Sequence, residues 1–183
     1  MDHHRTVVTG DTMTDDDRWN YHARGETPNQ RLDRNLAELL QEVRVAQVGV
    51  QVLLAFLLAL AFTPRFALFT GLQRDAYVAS LVLGAASTAL LIAPAAFHRV
   101  VFRCRLKREL VRASSRLALV GLLLMMLSLA MAMLLILDVT LGAAAALWIT
   151  GGILGWFSMW WYVLPMRYRL HAARASHHRK RRF

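Results

Sequence analysis

Four long stretches of the chain contain no acidic residue, no basic residue and no histidine: 45–62, 76–97, 117–137 and 139–166. As helices rising about 1.5 Å per residue, they are long enough or nearly so to cross a hydrocarbon core of roughly 30 Å. The pattern predicts an all-α, polytopic membrane protein, a bundle of four transmembrane helices. The expected spans are about 45–62, 76–97, 117–137 and 141–164. Because so little chain separates the last two spans, they are expected to form a tight antiparallel hairpin.

The chain before the first span divides into two parts. Residues 1–26 are polar and show no periodicity, which predicts a disordered tail. "TPNQ" then marks a helix start, with Thr27 as N-cap, Pro28 at the first helical position and Gln30 at the capping-box position. Leucines follow at helical spacing, so the first span should carry an amphipathic N-terminal extension. The expected organisation is a tail (1–26), a transmembrane domain (27–166) and a basic tail (167–183).

Charge is distributed as the membrane topology requires. The formal net charge is +10, yet of 22 Lys and Arg residues only Arg65 and Arg74 lie between the first two spans, and none lies between the last two. This asymmetry predicts a multi-pass membrane protein with both termini and the 97–117 connection in the cytoplasm. Because the basic residues are concentrated in the segments expected on one side of the membrane, membrane topology accounts for the positive net charge, and no nucleic-acid partner is expected.

The 97–117 connection holds a cluster of basic residues that we call the basic cluster: Arg99, Arg103, Arg105, Lys107, Arg108, Arg112 and Arg116. Such a segment can lie on an anionic membrane surface, where each basic residue contributes about 1 kcal/mol. Alternatively, these residues are topology-setting charges on two helix extensions. The lipid-binding interpretation makes anionic headgroups a predicted partner.

Polar residues at the mouth of the first span share one helical face. Arg44, Gln47 and Gln51 follow each other at i, i+3 and i+7. Primary amides facing lipid are costly, so this face is expected to point into the bundle and to hydrogen-bond other helices, while Arg44 reaches the headgroups. The alternative is a polar lining for a substrate.

Small residues recur at four-residue spacing in two other spans. Ser80, Gly84 and Thr88 mark one face of the second span, which Asp75 is expected to cap. Gly151 and Gly155 repeat the spacing in the fourth span. Both patterns predict close approach of a neighbouring helix.

The sequence gives little support for an enzyme or for an ion-coupled carrier. No Asp, Glu, His, Lys or Arg lies inside any of the four stretches, although ion-coupled carriers usually need such a residue near the midplane. No catalytic, cofactor or metal site is predicted, and the tail histidines lack partners at ligand spacing. The leading hypothesis is a non-enzymatic accessory membrane protein that associates with lipids, a second copy or another membrane protein. The alternative is a small oligomeric transporter or channel, lined by the glutamine face and the small-residue face.

Longer motifs carry a family resemblance. They are "ETPNQRLDRNLAELLQEVRVAQVGVQVLLAFLLALAFTPRF", "QRDAYVASL", "LLIAPAAFHRVVFR", "KRELVRASSRLAL" and "WYVLP". Together they resemble the small four-span membrane proteins of actinobacteria that are catalogued as a domain of unknown function. The resemblance covers 26–165 and implies a multi-pass plasma-membrane protein, with no established activity and no catalytic residue to transfer.

Overall fold

The computed structural model describes residues 15–101 and 107–168. Within these ranges the chain is helical and contains no strand. The α-helices are α1 (Asp15–Arg24), α2 (Pro28–Leu60), α3 (Gly71–Val101), α4 (Lys107–Leu141) and α5 (Ala143–Ser158). A 3-10 turn at Pro64–Leu68 joins α2 to α3, and a π-helical turn at Met159–Val163 continues α5.

Four helical stretches are long and apolar enough to cross a membrane, which confirms the predicted all-α, four-helix architecture. They are Gln30–Leu60, Gly71–Phe97, Ala113–Leu141 and Ala143–Tyr168. Helix α2 runs unbroken from its amphipathic front section into its apolar part. Helices α3 and α4 both extend past the apolar stretches toward the connection between them, so helical extensions flank it on each side.

Two helices begin with the same threonine and glutamine pair. At α2 the Thr27 backbone N–H donates to Gln30 Oε1 at 2.8 Å, and the Gln30 N–H donates to Thr27 Oγ1 at 3.4 Å. At α3 the Thr70 N–H donates to Gln73 Oε1 at 3.1 Å, and the Gln73 N–H donates to Thr70 Oγ1 at 3.4 Å. Each pair satisfies two backbone donors that the first helical turn would otherwise leave unpaired.

The structure contradicts two expectations, one about the start of α3 and one about the chain before α2. Asp75 lies inside α3, because the Thr70 cap starts that helix one turn earlier. Residues Asp15–Arg24, expected to be disordered, form α1. Of the predicted tails (1–26 and 167–183), residues 1–14 and 169–183 lie outside the described residues.

The core follows a seven-residue repeat on α2. Leu36, Val43, Val50 and Leu57 are all buried, and this repeat places them on one stripe facing the bundle. Helices α3 and α4 share the most extensive contact, α2 packs across both of them, and α5 packs mainly on α4. The bundle is thus built on an antiparallel α3–α4 pair.

In the predicted hairpin between the last two spans, the chain reverses direction at a single residue. Gly142, at a φ of 85°, is the one residue between α4 and α5. A side chain is disfavoured at positive φ, so glycine suits this reversal. The Gly142 N–H donates to the Asp138 carbonyl at 3.1 Å and closes the last turn of α4. The 3-10 turn between α2 and α3 lies at the same end of the bundle as Gly142, and we call this end the loop end. We call the opposite end the basic end.

Candidate functional site

Buried serines join α3 to α4 through the middle of the bundle. Ser80 Oγ donates to the Ser128 carbonyl at 2.8 Å, and Ser128 Oγ donates to the Ser80 carbonyl at 2.7 Å. One further bond runs from Ser87 Oγ to the Gly121 carbonyl at 2.7 Å. All three serines have no exposed surface. We call this set of contacts the serine zipper; in an apolar medium it satisfies polar groups that would otherwise be costly to bury.

Glycines let the serine zipper close. A Cβ on Gly84 would lie 2.9 Å from Leu54 Cδ2 and 3.0 Å from Ser128 Oγ. A Cβ on Gly121 would lie 2.8 Å from Leu91 Cδ2. Ordinary side chains do not fit in such gaps, so close helix approach depends on these two residues.

The predicted small-residue face of α3 thus meets other helices at Ser80 and Gly84, but not at Thr88. The Thr88 hydroxyl is half-buried and donates to the Gly84 carbonyl of its own helix at 2.9 Å. The fully buried member is instead Ser87, which the four-residue pattern missed. A seven-residue spacing would have found it, since Ser80 and Ser87 on α3 match Gly121 and Ser128 on α4 in antiparallel register.

The two glutamines of α2 point to different surroundings. Gln47 Nε2 donates to the Leu91 carbonyl of α3 at 2.8 Å. This carbonyl lies in the turn before Pro94, whose ring removes one backbone donor from α3. Neighbouring polar groups commonly support such a turn within a membrane. Gln51 is exposed, as is Arg44, so the expectation that all three face the bundle is wrong for Gln51.

A polar contact that the sequence reading missed lies at the loop end. Gln73 Nε2 donates to Asp138 Oδ2 at 2.8 Å, joining the start of α3 to the end of α4. Gln73 therefore uses its oxygen to cap α3 and its nitrogen to hold Asp138. The repeated Thr-x-x-Gln spacing of "TPNQ" and "TGLQ" could have indicated the cap, whereas no local pattern indicated the contact with Asp138.

Gly151 and Gly155, the two glycines of the α5 repeat, are not packed against another helix of the described chain. A Cβ on Gly151 or Gly155 would meet nothing within 4 Å. Both residues are exposed, and Trp148 is 85% and Trp156 65% exposed. Within one copy, the close packing predicted from this spacing is therefore not made.

An apolar groove lies between α4 and α5, with a volume of about 530 Å³. Its lining is entirely apolar: Leu129, Met133, Ile149, Gly152, Ile153, Trp156 and Phe157. No acid, base or nucleophile faces it, so the groove provides shape and apolar surface without reactive groups.

The basic cluster is only partly described. Arg103 and Arg105 lie outside the described residues, whereas Arg116 is exposed near the start of α4. The other four have helical backbone, at the end of α3 or the start of α4: Arg99, Lys107, Arg108 and Arg112. The exposed residues Arg44 of α2 and Arg167 beyond α5 lie at the same end, because successive helices alternate in direction.

Among the described residues, no three His, Cys, Asp or Glu side chains come close enough to hold a metal ion. The intramembrane polar residues that the structure brings together form hydrogen bonds between helices, most of them from a hydroxyl or amide to a backbone carbonyl. Such bonds fix the register and separation of helices.

These features define a multi-pass helical membrane protein whose inner polar groups hold its helices together. The chain belongs to the family of unknown function DUF6328, which it matches over residues 25–165. Comparison with curated proteins and with solved structures finds no match.

Proposed function

We propose that the protein is a non-enzymatic accessory protein of the bacterial plasma membrane, with both termini in the cytoplasm, that binds anionic lipid headgroups and a membrane-protein partner. The observation that carries the proposal is the serine zipper. Ser80 and Gly84, the residues available to line a path along α3, are instead buried against α4 and α2. The surfaces left for function are the lipid-facing helix sides and the basic end.

The basic end supports the lipid half of the proposal. The described members of the basic cluster lie on the extensions of α3 and α4, beyond the apolar spans. Exposed Arg44, Arg116 and Arg167 lie at the same level of the bundle. Cations concentrated on one side of a membrane protein attract anionic headgroups, with about 1 kcal/mol for each residue near the surface.

A charge-neutralised variant tests this proposal. All seven residues of the basic cluster are changed to Gln, the topology of the variant is verified, and the purified protein is assayed for bound phosphatidylglycerol and for proteins recovered with it from the native membrane. We expect both to fall severalfold. The matched control is Arg65→Gln with Arg74→Gln, which removes cations from the opposite end and should leave both unchanged.

Unchanged lipid binding and unchanged partner recovery in the cluster variant would overturn the proposal. Flux through liposomes tests the transporter alternative. A solute flux that disappears when Gln47 and Gln51 are both changed to Leu, in protein that still folds, would establish transport instead.

A further inference from the structure

Gln51 is a polar side chain on the outside of a transmembrane helix. Its amide makes no hydrogen bond among the described residues, and it is exposed. On helical rise alone it lies about 9 Å deeper than Val45, where the apolar stretch begins. A glutamine side chain is too short to bring its amide back to the headgroups from that depth. The amide therefore lies among lipid chains, which offer no hydrogen-bond partner.

The surroundings of Gln51 on α2 form a regular stripe. Arg44, Val48, Gln51, Ala55 and Leu58 are separated by four, three, four and three residues, and all five are exposed. We call this stripe the outer seam. Alternation of four and three is the spacing by which two helices pack along their length with interlocking side chains. The buried stripe of α2 has the same seven-residue period, so α2 carries two seams on different faces.

Gln47 and Gln51 carry the same amide on different sides of α2, so their hydrogen bonding can be compared directly. Gln47 on the inner side reaches the Leu91 carbonyl of α3, and its amide is satisfied within one copy of the chain. Gln51, one turn further along, has the same chemistry and no such carbonyl. Since only 17% of the most apolar window of this helix is buried, α2 has surface left for another helix.

We propose that the outer seam is the interface of a homodimer, in which the Gln51 amides of two copies hydrogen-bond to each other. A primary amide contains both a donor and an acceptor, so it is its own complement across a two-fold axis. Two copies with the same orientation in the membrane place their Gln51 residues at the same depth. Ala55, one turn away, is small enough to let the helices approach.

The other residues of the outer seam are compatible with this pairing. Val48 and Leu58 supply apolar contacts above and below the amides, and they are 57% and 53% exposed in one copy. Arg44 lies at the boundary of the apolar stretch, where its guanidinium reaches headgroup phosphates and stays solvated. The inference does not depend on the proposed lipid-binding function, since the outer seam and the basic cluster share no residue.

Cysteine cross-linking at two neighbouring positions tests the interface. The chain's one cysteine is removed as Cys104→Ser, and Ala55→Cys is compared with Phe56→Cys. Both positions are exposed and lie at nearly the same depth, but they point about 100° apart around the helix. In liposomes at low protein-to-lipid ratio, copper-catalysed thiol oxidation should join Ala55→Cys copies into dimers and leave Phe56→Cys copies as monomers. Equal cross-linking at both positions would overturn the proposal.

Replacement of the amide gives the second measurement. In the Ala55→Cys protein, Gln51→Leu should weaken dimerisation about tenfold, the change given by loss of one interhelical hydrogen bond of roughly 1.4 kcal/mol. Gln51→Asn, which keeps an amide, should retain part of the dimer. Because Gln51 is exposed and makes no hydrogen bond to another described helix of its own copy, thermal unfolding in monomeric micelles should not change.

Gln47→Leu is the matched control for that variant. It removes the inner amide, so it should lower the thermal stability of the monomer and leave cross-linking at Ala55→Cys in place. Dimerisation that is as strong with Gln51→Leu as without it, or recovery of a different protein cross-linked at Ala55→Cys in native membranes, would contradict a homodimer through this seam.

Discussion

At the scale of single residues, the same glycine spacing has two different outcomes. Gly84 lies against Leu54 and Ser128 with no room for a Cβ, whereas a Cβ on Gly151 would meet nothing within 4 Å. Both residues belong to four-residue repeats of small side chains in apolar helices. The repeat makes close approach possible, but only the neighbouring helix determines whether it occurs.

A pair of leucine substitutions measures this difference. Gly84→Leu should lower the free energy of unfolding by about 2 to 3 kcal/mol, because the added side chain pushes α2 and α4 away from α3. Gly151→Leu adds an apolar side chain to an open surface and should change it by less than about 0.5 kcal/mol. Unfolding in detergent micelles under monomeric conditions gives both values. Equal losses in the two variants would contradict the described packing.

At the scale of elements, capping decides where the helices begin. The Thr27–Gln30 and Thr70–Gln73 pairs each make two reciprocal hydrogen bonds at a helix start. In the polar front section of α2, Arg34 adds ion pairs, with Nε 3.1 Å from Glu26 Oε1 and Nη1 2.9 Å from Glu38 Oε1. These local contacts hold the first turns of α2, where there is little packing against other helices.

Removal of the α2 cap should act locally. Thr27→Ala removes the acceptor of the Gln30 N–H and should cost about 1 kcal/mol at the helix start. Amide hydrogen exchange is expected to quicken several-fold in the first turn of α2 and to stay unchanged around Ser80. Exchange that quickens throughout the bundle would show that the cap also supports the transmembrane packing.

At the scale of the whole molecule, the four spans alternate in direction, and most of the basic residues that flank them therefore lie at one end of the bundle. Arg65 and Arg74 lie at the loop end, and the described members of the basic cluster lie at the opposite end. Turns of different length join the helices at the loop end: a 3-10 turn between α2 and α3, and Gly142 alone between α4 and α5. The arrangement is compatible with one orientation in the membrane, which the charge asymmetry sets.

Topology reporters test that orientation. A fluorescent protein that matures only in the cytoplasm should be bright when fused after Phe183. A thiol introduced as Thr70→Cys in the Cys104→Ser protein should react with a membrane-impermeant maleimide added outside intact cells. A thiol at Arg116→Cys should react only after the cells are opened. Labelling of Arg116→Cys in intact cells would reverse the assignment.

Much of the fold and part of the candidate site were predictable from local pattern. Runs without charge predicted four spans, and "TPNQ" predicted the start of α2, because hydrophobic length and capping geometry are properties of neighbouring residues. The partner of Gln47 and the role of Ser87 were not predictable in this way. Both depend on atoms more than thirty positions away along the chain, the Leu91 and Gly121 carbonyls.

The sequence by itself determined the number of spans, the hairpin between the last two spans and the concentration of positive charge between α3 and α4, since each depends on composition along the chain. Only the tertiary structure decided which polar residues are satisfied. Gln47 and Gln51 share a sequence motif, but their directions differ by about 40° around α2, and this rotation brings one amide to a carbonyl of α3 and leaves the other exposed on the outside of the bundle. The physical reason is that a hydrogen bond requires an atom within about 3 Å, and only the packed helices supply it.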